Sequence, residues 1–219
     1  MRRIADGIWQ LDGWPPHAIN AWLVDDILFD CLTRWGASRL LADLSGRHLS
    51  VIALTHAHPD HWGAAGAICA ARTVPVFCHE QDADTVSGAV KAGAAGWQFA
   101  AGALMWQGPS YPDVTGLRED DVVGDFRVVH TPGHTPGHVI YFRERDRLAV
   151  IGDLFNTMGM WLRRRRLSQP PAHTSRDPAG NRRSIRKLLE LRPSLVLPGH
   201  GPALSGVAPI EELAARLGV

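Results

Sequence analysis

The chain has 219 residues, 45% of them hydrophobic and 21% charged, with a formal net charge of +1. A chain of this size buries a core without disulfides or a structural metal, and its balanced charge argues against a polyanion-binding surface spread over the whole molecule. Cys31, Cys69 and Cys78 are odd in number and none is spaced as CxxC, which argues against a disulfide framework and fits a reducing compartment. Met1 to Gln10 carries two arginines without a following apolar stretch, so no secretory signal is expected. Ala89 to Trp106 contains Lys91, Gln98 and several glycines, a poor membrane span. The expectation is one soluble, cytoplasmic domain over residues 1–219 with no membrane partner.

In chain order, Ile4 to Leu11 and Ala21 to Asp30 read as strands of an N-terminal meander, punctuated by Asn20 and Asp25-Asp26. Ala37 to Leu44 has helical composition, Val51 to Leu54 is a short apolar strand, and Ala-rich Trp62 to Arg72 reads as a helix. Val74 to Cys78 is a strand and Glu80 to Val90 a helix. Gly93 to Gly116 is the least regular stretch, equally a lid or a packed helical hairpin. Phe126 to Val129, Val139 to Arg143 and Leu148 to Ile151 are strands. Pro178 to Leu191 is the clearest helix, with Pro178 in its first turn and Ile185, Leu188 and Leu189 at helical spacing. Leu195 to Leu197 is a strand and Ile210 to Leu217 a closing helix. The order predicts two sheets in a layered α/β arrangement.

Four of these strands run straight into loops rich in His and Asp. Val51 to Leu54 leads into Thr55-His56-Ala57-His58-Pro59-Asp60-His61. Val128-Val129 leads into a loop holding His130, His134 and His138, Leu148 to Ile151 into Gly152-Asp153, and Leu195 to Leu197 into Pro198-Gly199-His200-Gly201. Ligand sites of α/β sheets lie beyond the carboxyl ends of strands, so four such ends suggest one convergent metal site. His56 and His58, two apart in an extended segment, point one way. Asp60 and His61, at a helix start, turn another way, so one loop can serve two cations. Imidazole and carboxylate suit zinc, iron or manganese. Asp60 alone also reads as a helix cap, which leaves the three histidines unexplained. A G-x-S-x-G elbow, a Walker loop and a G-x-G-x-x-G fingerprint are all missing, which leaves metal-activated water as the nucleophile.

THAHPDH, TPGHTPGH, the lone Gly-Asp pair and PGHG, with Ile19 to Val24 and Leu28-Phe29-Asp30, resemble the metallo-β-lactamase superfamily over nearly the whole chain. The resemblance implies a four-layer αββα sandwich with metals at one edge between the sheets. It implies His56, His58 and His134 as ligands of one cation and Asp60, His61 and His200 as ligands of a second. Asp153 would bridge them. Two divalent ions per chain are implied, zinc first, with iron or manganese as alternatives. The implied chemistry is metal-assisted hydrolysis, with Asp60 or Asp153 able to shuttle a proton. His138 matches no ligand position and is either an orienting group or a packed histidine; His130 reads as structural.

The TPGHTPGH loop also resembles hydroxyacylglutathione hydrolases and acyl-homoserine lactonases. The Gly-Cys-Gly-Arg run usual in the former is missing, few residues follow His200, and Asn156 stands where lactonases usually carry Tyr. An Asp at position 60 is atypical of the main zinc β-lactamases. The expected function is a metal-dependent hydrolase of a small ester, lactone or thioester. The alternatives are a single-iron persulfide-type oxygenase, a nucleic-acid phosphodiesterase or a non-catalytic scaffold. The Arg163 to Arg166 run reads as a solvated loop or interface rather than a phosphate contact, and nucleic acid is not the expected partner. Trp97, Phe99, Trp106 and Tyr111 are candidates for core, pocket or a homodimer contact. His17 is a candidate for the site rim, His48 for an exposed loop, and His79 and His173 show no partner in the sequence.

Overall fold

The computed structural model describes residues 1–88, 105, 107–109, 111, 113–158 and 165–219. Strands β1 (Arg2–Ala5), β2 (Ile8–Asp12), β3 (Asn20–Val24) and β4 (Ile27–Phe29) form an antiparallel meander. The stretch Ile4 to Leu11 is therefore not one strand, because Asp6-Gly7 turns the chain into a hairpin, with Gly7 at φ 67°. Strands β5 (Val51–Ala53), β6 (Val76–His79) and β7 (Val114–Leu117) extend the sheet in parallel, giving the order β1-β2-β3-β4-β5-β6-β7. The second sheet contains β8 (Val122–Val123), β9 (Phe126–His130), β10 (Val139–Arg143), β11 (Leu148–Gly152), β14 (Leu195–Pro198) and β15 (Leu204–Ser205), ordered β15-β14-β11-β10-β9-β8. Between β11 and β14 in sequence, β12 (Asn156–Met158) and β13 (Arg165–Ser168) pair as a separate antiparallel ribbon.

Alternation along the strands explains why the sheets stack. Trp22 and Val24 of β3, Ile27 and Phe29 of β4 and Val51 of β5 face the second sheet, where Phe126, Val128, Val139, Tyr141 and Val150 meet them. Phe29 lies between Phe126 and Tyr141, with ring centroids 4.8 and 5.1 Å away. The intervening residues Leu23, Leu28 and Ile52 point outward, against helices α1 (Ala37–Asp43), α3 (Ala65–Ala71) and α4 (Glu80–Val86). On the other outer face, Val129, Ile140, Phe142, Ile151 and Val196 pack on α5 (Pro178–Leu191) and α6 (Ala208–Leu217). The strands are thus buried on both sides and read as continuous apolar runs, as covered sheets require. The result is the αββα order of layers.

The Ala-rich stretch beginning at Trp62 is not one helix. A short α2 (Pro59–Trp62) ends at Gly63, and α3 starts afresh at Ala65. Most of Gly93 to Gly116, including Trp97, Phe99 and Trp106, lies outside the described residues, as do Arg163 and Arg164; Tyr111 packs partly buried against the first core. No described helix is long and apolar enough to cross a membrane.

Candidate metal centre

The carboxyl ends of β5, β9, β11 and β14 meet at one edge of the sandwich. They bring all seven residues singled out in the sequence together. Potential ligand atoms of His56, His58, His134 and Asp153 lie within 4.8 Å of one another, and so do those of Asp60, His61 and His200. Asp153 joins the groups: its Oδ2 is 3.3 Å from His134 Nε2 and 3.1 Å from His200 Nε2, and its Oδ1 is 3.4 Å from His61 Nε2. Asp60 Oδ2 stands 3.5 Å from His200 Nε2 and 3.8 Å from His61 Nε2.

Four imidazoles are anchored through Nδ1, which turns Nε2 inward. His61 Nδ1–H donates to Asp30 Oδ2 at 2.8 Å. His56 Nδ1–H donates to Thr55 Oγ1 at 3.0 Å, and the Thr55 hydroxyl in turn donates to the Asp30 carboxylate. His134 Nδ1–H donates to Ser175 Oγ at 2.9 Å, and His200 Nδ1–H to the Ala18 carbonyl. Such outer hydrogen bonds fix the tautomer and ring direction of metal-binding histidines. Among the described residues, His56 Nε2, His61 Nε2, His134 Nε2 and Asp153 Oδ1 are buried without a hydrogen-bond partner. Orphaned buried polar atoms are costly, and four converging in one place fit a cation that satisfies them.

Charge divides the groups. Burial, reinforced by neighbouring imidazoles, pushes the pKa values of His56 and His58 well down, so both are neutral. Burial also opposes the charged form of His61, but Asp153, Asp30 and Asp60 outweigh it and lift the imidazole to about 10. Burial likewise works against His200, and Asp153 and Asp60 raise it to about 9. Burial disfavours the Asp153 carboxylate, yet His200 and His61 hold it well below the usual range.

His138 resolves as an orienting group. Its Nε2 accepts the Asp153 backbone N–H at 3.1 Å, so Nδ1–H donates to Thr131 Oγ1 at 2.8 Å. Burial lowers its pKa to about 3, which keeps the acceptor neutral. Gly152, just before Asp153, has φ +48°, and a Cβ there would come within 2.5 Å of Thr55 Oγ1 and 3.0 Å of His138 Nε2. Glycine is what this left-handed, crowded position admits. The cap reading of Asp60 does not hold: His58 is the N-cap of α2, and no side chain caps its backbone.

Sequence reasoning missed several supports. Asn20 Nδ2 donates to the Pro198 and Gly201 carbonyls and Trp22 Nε1 to Pro198, which holds the His200 loop. Asp30 stands out only as part of the Leu28-Phe29-Asp30 stretch, with no role assigned, whereas Ser175 and Asp82 carry no local signature; distance in the chain hides the partners of all three. His130 is structural as expected: it stacks on His79 at 4.1 Å, which also gives His79 the partner the sequence did not show, and its Nε2 contacts the Pro136 carbonyl. His17 contacts Gln10 and Arg2, and His48 lies exposed near Asp26. Next to the seven residues opens a cavity of about 340 Å³, lined by Trp14, Pro15, Ile19, Pro171, His173 and Asn156 and by His58, Asp60, His134, Asp153 and His200.

The family model of the metallo-beta-lactamase superfamily matches residues 14–200. A probable metallo-hydrolase of Bacillus subtilis, YflN, is 33% identical over 192 residues, covering 78% of this chain and 73% of its own. The crystal structure of TTHA1623 in a di-iron-bound form superposes with a TM-score of 0.68 at 31% identity, covering 90% of this chain and 94% of the other. A hydroxyacylglutathione hydrolase of Bdellovibrio bacteriovorus is 29% identical over 115 residues, 51% of this chain and 36% of its own. The matched model takes in all seven candidate ligand residues, from His56 to His200, and the chain belongs to the metallo-beta-lactamase superfamily.

Proposed function

We propose that the protein is a two-metal hydrolase of a small ester, lactone or thioester. The observation that carries this is the convergence of His56 Nε2, His61 Nε2, His134 Nε2 and Asp153 Oδ1, all buried and without a hydrogen-bond partner, between two groups of ligand atoms. His56, His58 and His134 would hold one cation, Asp60, His61 and His200 the other, and Asp153 would touch both. When bound, divalent ions at these positions supply Lewis acidity, which makes water acidic and polarises a carbonyl. The set of five imidazoles and two carboxylates suits zinc or iron, and the di-iron form of TTHA1623 supports iron as the alternative.

The chain's own groups supply the rest. Asp60 lines the cavity, and its carboxylate takes the proton of the attacking water and returns it to the leaving group. Asn156 lines the same space, with its Oδ1 buried and, among the described residues, without a hydrogen-bond partner. Trp14, Pro15, Ile19 and Pro171 give the walls an apolar character that excludes water from the acyl group. A volume of about 340 Å³ suits a small molecule better than a polymer strand. The match to a hydroxyacylglutathione hydrolase supports thioesters as the first class to try.

The test is elemental analysis of protein purified without a metal-affinity column, followed by a hydrolysis screen. The expected result is about two ions per chain, as in two-metal hydrolases, with turnover of at least one class among thioesters, lactones and esters. Protein that takes up no metal on reconstitution overturns the proposal. One iron per chain with oxygen consumption on a persulfide favours the oxygenase instead.

A further inference from the structure

Asp82 is a buried carboxylate on α4, a helix that contributes none of the seven residues of the metal centre. Its three hydrogen bonds go to the two loops that carry His56, His58 and His134, and in the first loop, which also carries Asp60 and His61, the bond falls between His56 and His58. The N–H of Ala57, between His56 and His58, donates to Oδ2 at 2.9 Å. The hydroxyl of Thr135, next to His134, donates to the same oxygen at 2.6 Å. The N–H of Gly137 donates to Oδ1 at 2.8 Å. A Cβ at Gly137 would fall 2.6 Å from Asp82 Cγ and 2.8 Å from its backbone nitrogen, so the second loop is seated directly on the start of α4.

The second group is held by other means. His61 is tied to Asp30 through its ring and to the Cys31 N–H through its carbonyl, and His200 to the Ala18 carbonyl. Among the described residues, the hydrogen-bond partners of Asp82 are Ala57, Thr135 and Gly137, none of them adjacent in sequence to Asp60, His61 or His200. A carboxylate buried on the face of a helix that otherwise packs Val86 into the core is expensive unless donors surround it. Here the donors come from two loops far apart in sequence, which makes the side chain a clamp between them.

We propose that Asp82 is a positioning residue that sets the spacing of His56 and His58 relative to His134, and thereby the metal affinity of that group alone. This rests on the two-metal reading of the centre. The α4 helix is then a strut for one ion and not for the other. Asp82 touches neither metal nor substrate; it acts through the backbone between the ligands.

The experiment titrates metal-free protein with Zn²⁺ against a chromophoric chelator. Wild type is expected to bind two ions. Asp82→Ala is expected to weaken one of them by about 10- to 100-fold, the range for loss of an outer hydrogen-bond partner, and to leave the other unchanged. Two double variants identify which. In a His61→Ala background, Asp82→Ala weakens the remaining ion by the same factor; in a His58→Ala background it changes nothing. Thr135→Val and Asp82→Asn keep shape while removing part of the clamp, and they carry the test if Asp82→Ala does not fold; each weakens the same ion by less. A merely structural role would lower the thermal midpoint and weaken both ions alike, which overturns the proposal, as does a Zn²⁺ titration of Asp82→Ala that superposes on wild type. Wild type that binds no metal overturns the two-metal reading as well, so the two failures are distinguishable.

Discussion

His56, His58 and His134 form the floor of the site and are almost wholly buried, whereas the other group climbs from buried His61 through Asp60 to His200, which is 18% exposed at the cavity mouth. The two differ in electrical character as much as in depth. Burial keeps His56 and His58 neutral, in the form that binds a cation. Carboxylates surround His61 and His200 and keep them protonated when no cation is present. In the proposed two-metal centre the two positions would be filled by different chemistry. The floor would offer a desolvated nest of lone pairs to its ion. The mouth would give up protons to bind one.

Deleting a ligand gives the largest effect and asks whether the groups are separable at all. His58→Ala and His61→Ala should each cut kcat by about 10³-fold or more, since metal polarisation is worth several kcal/mol and each 1.36 kcal/mol is tenfold. Elemental analysis should find one ion retained in each variant. Loss of both ions from both variants would break the comparison. The next effect is in pH. Because the His61 and His200 pKa values are raised to about 10 and 9, these rings hold protons at neutral pH and compete with the cation. Affinity at the mouth should therefore rise with pH, by about tenfold per unit for each proton displaced, and level off near pH 9–10. The group of His56 and His58 should show a shallower slope, because burial already holds these two rings neutral. Chelator-competition titrations in the His58→Ala and His61→Ala backgrounds measure the two slopes separately, and equal slopes would refute the distinction.

The seven candidate ligands are legible because each stands within a few residues of an apolar strand end, and strand ends converge by the rules of layered sheets. The helix Pro178–Leu191 was legible from Pro178 and the Ile185-Leu188 spacing for similar local reasons. The supports were not. Asp82 sits 25 residues from Ala57 and 53 from Thr135, and in the sequence it is one more acidic residue in a helix's first turn. Ser175 is 41 residues from His134, and Asn20 is 178 from Pro198. The ribbon strand Asn156–Met158 has no apolar alternation to announce it; its residues are buried because the His200 loop covers them, with Thr157 N–H donating to the His200 carbonyl. Hydrophobic periodicity reports which face of an element is covered, and it is blind to a single polar bond between distant loops.

A smaller perturbation sharpens the contrast within the floor. Ser175→Ala removes the acceptor for His134 Nδ1–H while leaving all seven ligand residues in place. Affinity for the floor ion should fall by about tenfold, the lower end for an outer hydrogen bond, because one neutral contact is lost. The mouth ion should be unaffected, since Asp30 and Ala18 anchor its histidines. A chelator-competition titration in which both ions weaken would mean that Asp153 transmits movement of His134 to His200.

The least expected change lies behind the site, in the core between the sheets. Tyr141 is fully buried there, and its hydroxyl donates to the Leu54 carbonyl at 2.8 Å, one residue before Thr55-His56. Tyr141→Phe leaves that carbonyl unsatisfied and should cost about 1–3 kcal/mol of stability, measured by denaturant unfolding of the metal-free protein. The end of β5 has two other anchors, however: Thr55 N–H donates to Asp30 Oδ1, and the Thr55 carbonyl accepts from Val139 N–H. His56 should therefore keep its place, and neither ion should weaken. If the floor ion weakened while the mouth ion did not, the geometry of the floor would depend on the inter-sheet core as well as on polar clamps, and its dryness and its rigidity would have one common origin in the packing around Tyr141.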